Sequence, residues 1–178
     1  MFRFLAAVAV AFAVAAPLGA SAQSAAPEDT LIVETTKGSF VIALRPDLAP
    51  NHVARVKELA GETFYDGTPF HRVIEGFMAQ GGDPTGTGMG GSDKPDLAAE
   101  FTNTNYGRGT IGAARTSDPN SANSQFFICF EDCSFLNGDY TVWGEVVEGM
   151  DVVDALAKGE PPANPDRIVT MRVAAGGQ

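Results

Sequence analysis

Cysteine, histidine, tryptophan and basic charge are all scarce in this chain, and each scarcity removes a class of function. Cys129 and Cys133 are the only cysteines and His52 and His71 the only histidines, too few and too scattered for a structural zinc site or a disulfide framework. Whether the two cysteines pair is left open by their spacing: an extended segment holds them too far apart, whereas a turn at Glu131-Asp132 would bring them together. Lysine and arginine number 12 against 22 acidic residues, a formal charge of −10. That balance repels phosphate backbones and anionic lipid, so nucleic acid is excluded as a partner and solubility is favoured. No G-x-S-x-G occurs, and neither histidine stands in a recognisable arrangement with serine and acid, which argues against serine hydrolysis.

Apolar runs long enough to cross a bilayer are missing too. The nearest approach is Phe4 to Leu18, broken at Pro17, preceded by Arg3 and followed by Ala20-Ser21-Ala22, a small-x-small cleavage pattern. Residues 1–22 therefore read as a signal peptide cut before Gln23, with 23–29 a loose leader and 30–178 a single domain. Cleavage would remove Arg3 and no acid, taking the charge from −10 to −11. The product is expected to be exported or periplasmic, with no membrane contact after cleavage. No heptad pattern accompanies its charge, and a monomer is expected.

What is present is a series of short β-rich runs. Leu31–Thr35 and Ser39–Leu44 flank Thr36-Lys37-Gly38 as a hairpin; Thr110–Ala114, Gln125–Phe130, Thr141–Val147 and Ile168–Ala174 read as further strands. Helical spacing occurs twice, at His52–Leu59 behind an Asn51 cap, with His52 off the apolar stripe at the surface, and at Met150–Ala157, with Val152, Val153 and Leu156 inward. Gly86 to Gly91 fits G-x-G-x-x-G, but Ser92-Asp93-Lys94-Pro95 follows where a dinucleotide site needs an apolar helix. Strands without βαβ alternation predict an antiparallel all-β fold.

The richest stretch is Pro69 to Asp83, PFHRVIEGFMAQGGD, with SQFFIC from Ser124 to Cys129 as its counterpart. The first reads as two strands turning at Glu75-Gly76, and simple alternation puts His71 and Val73 on one face with Phe70, Arg72 and Ile74 on the other. In the second, Gln125, Phe127 and Cys129 share a face opposite Phe126 and Ile128. These residues offer one rigidly held guanidinium, an amide and several apolar surfaces.

The two stretches, with YDGTPFHRV, GTIGAART, FLNG and VWGEVVEGMDVVD, resemble the cyclophilin-type peptidyl-prolyl cis/trans isomerases from about Thr30 to Ala174. The resemblance implies a closed eight-stranded antiparallel β-barrel capped by two α-helices, with Trp143 in the barrel core. It implies X-Pro isomerisation in proline-containing polypeptides, with no cofactor and no metal. Carried residue by residue, it makes Arg72, Gln80 and His71 catalytic, His71 preceding the arginine in the same motif. It puts Phe77, Met78, Phe127 and Leu136 in a proline pocket and Ala114, Arg115 and Gln125 along the groove. Phe135 stands where many members carry a tryptophan whose N–H binds cyclosporin, and Tyr140 where many carry a histidine. Weak cyclosporin binding is therefore expected. The competing reading is a proline-peptide binding module or holdase, for which the pocket alone would suffice without Arg72.

Overall fold

The computed structural model describes residues 25–174. The signal-peptide reading lies outside them, as do residues 23 and 24 of the leader and residues 175–178, while Pro27–Asp29 of the leader forms a short 3-10 helix. A hairpin opens the fold: β1 (Thr30–Thr35) and β2 (Gly38–Leu44) pair from Thr30 opposite Ala43 to Thr35 opposite Gly38. Their alternation sends Leu31, Val33, Phe40 and Ile42 inward, all essentially inaccessible. The remaining strands are β3 (Arg72–Ile74), β4 (Met78–Gly81), β5 (Thr110–Ala113), β6 (Phe126–Cys129), β7 (Val142–Glu148) and β8 (Ile168–Val173). They form one antiparallel sheet ordered β3-β4-β6-β5-β7-β2-β1-β8.

The fold is all-β with eight antiparallel strands and two helices, but the expected closure is corrected: the sheet is a half-barrel. Among the described residues no ladder joins β3 to β8. Isolated bridges pair Pro69 with Arg167 and Val73 with Gly159, while Phe70 N–H donates to the Asp166 carbonyl at 2.9 Å. The physical reason lies in the seam itself, where β3 is three residues long and Pro69 has no N–H to contribute to a ladder.

Inside the sheet, Phe126 meets Tyr65, Phe70 and Trp143 edge to face, with ring centroids 6.0, 6.4 and 5.8 Å away. Trp143 is 1% exposed, as the resemblance implied. Phe70 is a correction, since alternation put it on the face of Arg72. Regular strand begins only at Arg72, and Phe70 belongs to the seam, from which its ring enters the core beside Val73.

Helix α1 (Pro50–Gly61) starts one residue before Asn51, with Pro50 in its first turn and Ala49 at the cap position. The cap comes from a distant loop: Glu100 accepts from the Asn51 N–H at 3.1 Å and from the His52 N–H at 3.0 Å. It also pairs with His52 Nδ1 at 2.6 Å, which buries that histidine to 3% exposure and corrects the surface placement. Burial lowers the His52 pKa against the pull of Glu100. Helix α2 (Met150–Asp154) is shorter than its apolar spacing predicts, yet Val153 and Leu156 are both buried.

Candidate active site

The candidate site lies on the outer face of the sheet at β3, β4, β5 and β6. All four β6 residues are buried, because Phe126 and Ile128 enter the main core while Phe127 and Cys129 join a second apolar cluster with Met78, Tyr106, Cys133 and Val142. Phe77, Leu136, Tyr140, Ile74 and Ala114 lean on that cluster from its margin. A sheet apolar on both faces needs cover on both. Here the outer cover is incomplete.

The gap is a cavity of about 130 Å³ lined by Arg72, Phe77, Met78, Gln80, Ala114, Arg115, Phe127, Leu136 and Tyr140. These are nine of the twelve residues that the resemblance singled out, and they come from four separate stretches of chain. Phe127 forms the floor, 5% exposed, stacked on Tyr106 at 5.7 Å and meeting Tyr140 at 90° and 5.5 Å. Gly112 lies opposite Phe127 across the β5–β6 ladder, where a Cβ would overlap both the Phe127 ring and the Tyr106 hydroxyl. Gly112→Ala should therefore displace the floor of the cavity. The expected outcome is a loss of proline-peptide affinity with the fold kept, measured by peptide titration alongside Trp143 fluorescence. Affinity equal to the unmodified protein's would show that the floor does not depend on this close approach.

Arg72 stands opposite Gln80 in the β3–β4 hairpin and is 41% exposed at its side chain. Its Nε donates to Glu160 Oε2 at 2.8 Å. Gln80 turns the other way: its Nε2 donates to Gln125 Oε1 at 2.9 Å, and Gln125 Nε2 donates to the carbonyls of Gly88 and Gly90 at 3.0 and 2.8 Å. Arg115 lies over the Tyr140 ring at 4.5 Å and donates through Nη2 to the Asp139 carbonyl at 2.8 Å, so its guanidinium is committed to the wall.

Three of the twelve lie off this cavity. Gln125 lines a neighbouring one of about 330 Å³, which shares Gln80, Ala114 and Arg115 with the first and is bounded beyond them by Gly88–Ser92, Asp96, Thr116, Ser121 and Asn123. Phe135 is 67% exposed and rests against Phe77 with centroids 5.4 Å apart. His71 is buried behind the groove, neither ring nitrogen having a hydrogen-bond partner, and burial lowers its pKa. Its ring lies beneath the Gly88 turn, where a Cβ on Gly88 would meet it at 3.5 Å.

Sequence reading missed three supports. Tyr106 stacks under Phe127 from the long loop, where no periodicity marks it. Asp83 ends the central motif and gathers the following glycine turn: its carboxylate accepts from Thr85 N–H and Oγ1 at 2.8 Å each, from Gly88 N–H at 2.7 Å and from Gly90 N–H at 3.1 Å. Burial alone would raise this acid, but those hydrogen bonds outweigh it and hold the pKa down at about 2. The G-x-G-x-x-G segment is thus a wall of the second cavity, with a carboxylate already inside its cradle. Glu160 is the third. The two cysteines are free and buried, and burial pushes both thiols up.

Residues 30–173 match the family model described as cyclophilin type peptidyl-prolyl cis-trans isomerase/CLD. The chain belongs to the cyclophilin-type peptidyl-prolyl isomerases. A probable peptidyl-prolyl cis-trans isomerase of Brucella suis biovar 1 is 49% identical over 187 aligned positions, covering 95% of each chain. Among solved structures, cyclophilin AquaCyp293 from Hirschia baltica superposes with a TM-score of 0.78 at 33% identity, over 84% of this chain and 75% of that one. A Cryptosporidium parvum cyclophilin-type isomerase crystallised in the presence of the dipeptide Ala-Pro gives a TM-score of 0.76 at 29% identity, over 82% of this chain and 99% of that one. Family membership and the relatives' names support peptidyl-prolyl cis-trans isomerase activity for this cyclophilin.

Proposed function

We propose that this cyclophilin accelerates rotation about X-Pro bonds in exported or periplasmic polypeptides, with Arg72 acting on the twisted amide and the apolar cavity holding the proline ring. The observation that carries the reading is the convergence of one guanidinium with Phe77, Met78, Phe127 and Leu136 around a single small cavity on the outer sheet face.

The barrier to X-Pro rotation is about 20 kcal/mol because conjugation is lost at the top. The proline nitrogen then has a lone pair that the planar ground state withholds. A fixed donor near that nitrogen binds the twisted amide better than either planar isomer, which is the condition for acceleration. Arg72 meets it through a permanent charge and a planar fork, with no proton gained or lost. The ring needs a dry, shaped grip that leaves the preceding carbonyl free to swing, and Phe127 with its apolar neighbours supplies it. Gln80 and Gln125 tie the two cavities together and would orient the peptide backbone. His71 has no step to perform, since no proton moves, and its place in the proposal is structural.

Export is part of the proposal on the sequence pattern of residues 1–22. It is tested by sizing the protein recovered from the periplasmic fraction of a producing bacterium. A mature chain beginning at Gln23 supports it, and full-length protein confined to the cytoplasm contradicts it.

Cyclosporin should inhibit weakly. Phe135 has no N–H, and one hydrogen bond lost from a desolvated site costs roughly 1 to 3 kcal/mol, about five- to a hundredfold in affinity. The phenyl group is also largely exposed, resting on Phe77 and not lining the cavity. Phe135→Trp should recover part of the affinity. Nanomolar inhibition of the unmodified cyclophilin would contradict the assignment.

A further inference from the structure

We propose that Glu160 is a positioning residue for the reaction, holding the Arg72 guanidinium by its Nε so that both terminal nitrogens face the proline cavity. The inference rests on the reading of Arg72 given above and extends it to a loop that the apolar pattern of the site does not reach. Arg72 has three nitrogens through which it can donate. Only Nε is engaged, at 2.8 Å from Glu160 Oε2, and among the described residues no other hydrogen bond to this guanidinium is made. A carboxylate that bound the two terminal nitrogens as a fork would occupy the donors that the twisted amide needs. Single attachment at Nε instead fixes the plane of the group and leaves Nη1 and Nη2 free.

The loop that carries Glu160 is built to keep it there. Gly159, its neighbour, exchanges two hydrogen bonds with Val73, the neighbour of Arg72: Val73 N–H to the Gly159 carbonyl at 2.8 Å and Gly159 N–H to the Val73 carbonyl at 2.9 Å. The two partners are therefore delivered side by side by one bridge. Gly159 has φ +148°, and a Cβ there would stand 2.6 Å from the Pro162 Cα, so the backbone path depends on glycine. The same loop is pinned at both ends through Asp166, whose Oδ2 accepts from the Ala157 N–H at 2.8 Å and whose Oδ1 accepts from the Thr36 hydroxyl at 2.7 Å.

Both side chains of the pair are about half exposed, 41% for Arg72 and 53% for Glu160. An ion pair of that kind adds little to stability. Its contribution is to orientation, to which turnover is far more sensitive than folding is. Glu160→Gln removes the charge, keeps the shape and leaves the loop's backbone bridge intact.

The test measures turnover on a proline peptide and, separately, peptide affinity, for the unmodified protein, Glu160→Gln, Arg72→Ala and the double variant. Glu160→Gln is expected to lower turnover about fivefold with affinity unchanged, and to have no further effect when Arg72 is already alanine. A merely structural role for Glu160 would instead give the same loss in both backgrounds, which would overturn the inference. Normal or faster turnover in Glu160→Gln, with Arg72→Ala strongly impaired, would also overturn it, Glu160 then being a competitor of the substrate. Unimpaired Arg72→Ala would remove the underlying chemistry, and this inference with it.

Discussion

Arg72→Ala is expected to lower turnover by about a hundredfold or more while leaving the affinity for a proline peptide within about threefold of the unmodified protein's. The magnitude follows from removal of a preorganised donor aimed at charge that develops only in the transition state, which costs roughly 10² to 10³ in rate. Affinity should be spared because, in the proposed mode, the ring is gripped by Phe77, Met78, Phe127 and Leu136, which pack in or against the outer apolar cluster. The side chain is 41% exposed and its one hydrogen-bond partner among the described residues is Glu160, so its loss should cost the fold little. Equal losses in turnover and in peptide binding would mean that Arg72 holds the ground state and does not act on the twisted amide.

Phe127→Ala should show the opposite division. The ring is the floor of the cavity, and its removal withdraws the surface on which the proline would rest, an expected loss of about 2 kcal/mol or roughly thirtyfold in peptide affinity. Because Phe127 is 5% exposed, the same change also removes packing from Tyr106 and Tyr140 and should cost several kcal/mol of stability. Trp143, the single tryptophan and fully enclosed, reports whether the fold has survived. Phe127→Leu keeps most of the volume and should fall between the two. An unaltered affinity in the folded Phe127→Ala protein would take Phe127 out of the site.

Much of this arrangement was legible in the sequence because strand alternation is a strict rule. It separated Phe127 from Phe126 on opposite faces and located the Glu75-Gly76 turn, and Arg72 and Gln80 do face each other across the resulting hairpin. The rule failed at Phe70, where the chain had not yet entered regular strand and the sheet seam dictated its direction. Closure of the sheet failed for a related reason, because no local pattern reveals that a three-residue edge strand beside Pro69 bridges its neighbour only at single points. His52 was misplaced because its burial is imposed by Glu100, 48 residues away, and no helical period records such a cap. Glu160 and Asp83 were overlooked on the same grounds. Each acts through a loop whose path is set by tertiary hydrogen bonds, and an acid in a loop otherwise reads as solvated surface.

The site residues fall along the same division. Phe77, Met78, Phe127 and Leu136 were identifiable as a group through motif resemblance, whereas Tyr106, which supports them, lies in an irregular stretch without a recognisable signal. Phe135 was placed by its counterpart in the motif, and its exposure shows that a position can be shared while its contact with the cavity is not.

The central claim is that Arg72 acts on the rotating bond once the peptide is bound. It is tested most directly by NMR exchange on a proline peptide at saturating protein, which reads the cis/trans interconversion rate on the enzyme itself. For Arg72→Ala, titration should saturate near the same concentration as for the unmodified protein, while the exchange rate falls by about a hundredfold or more. On-enzyme exchange at the unmodified rate in the saturated Arg72→Ala complex would contradict the account.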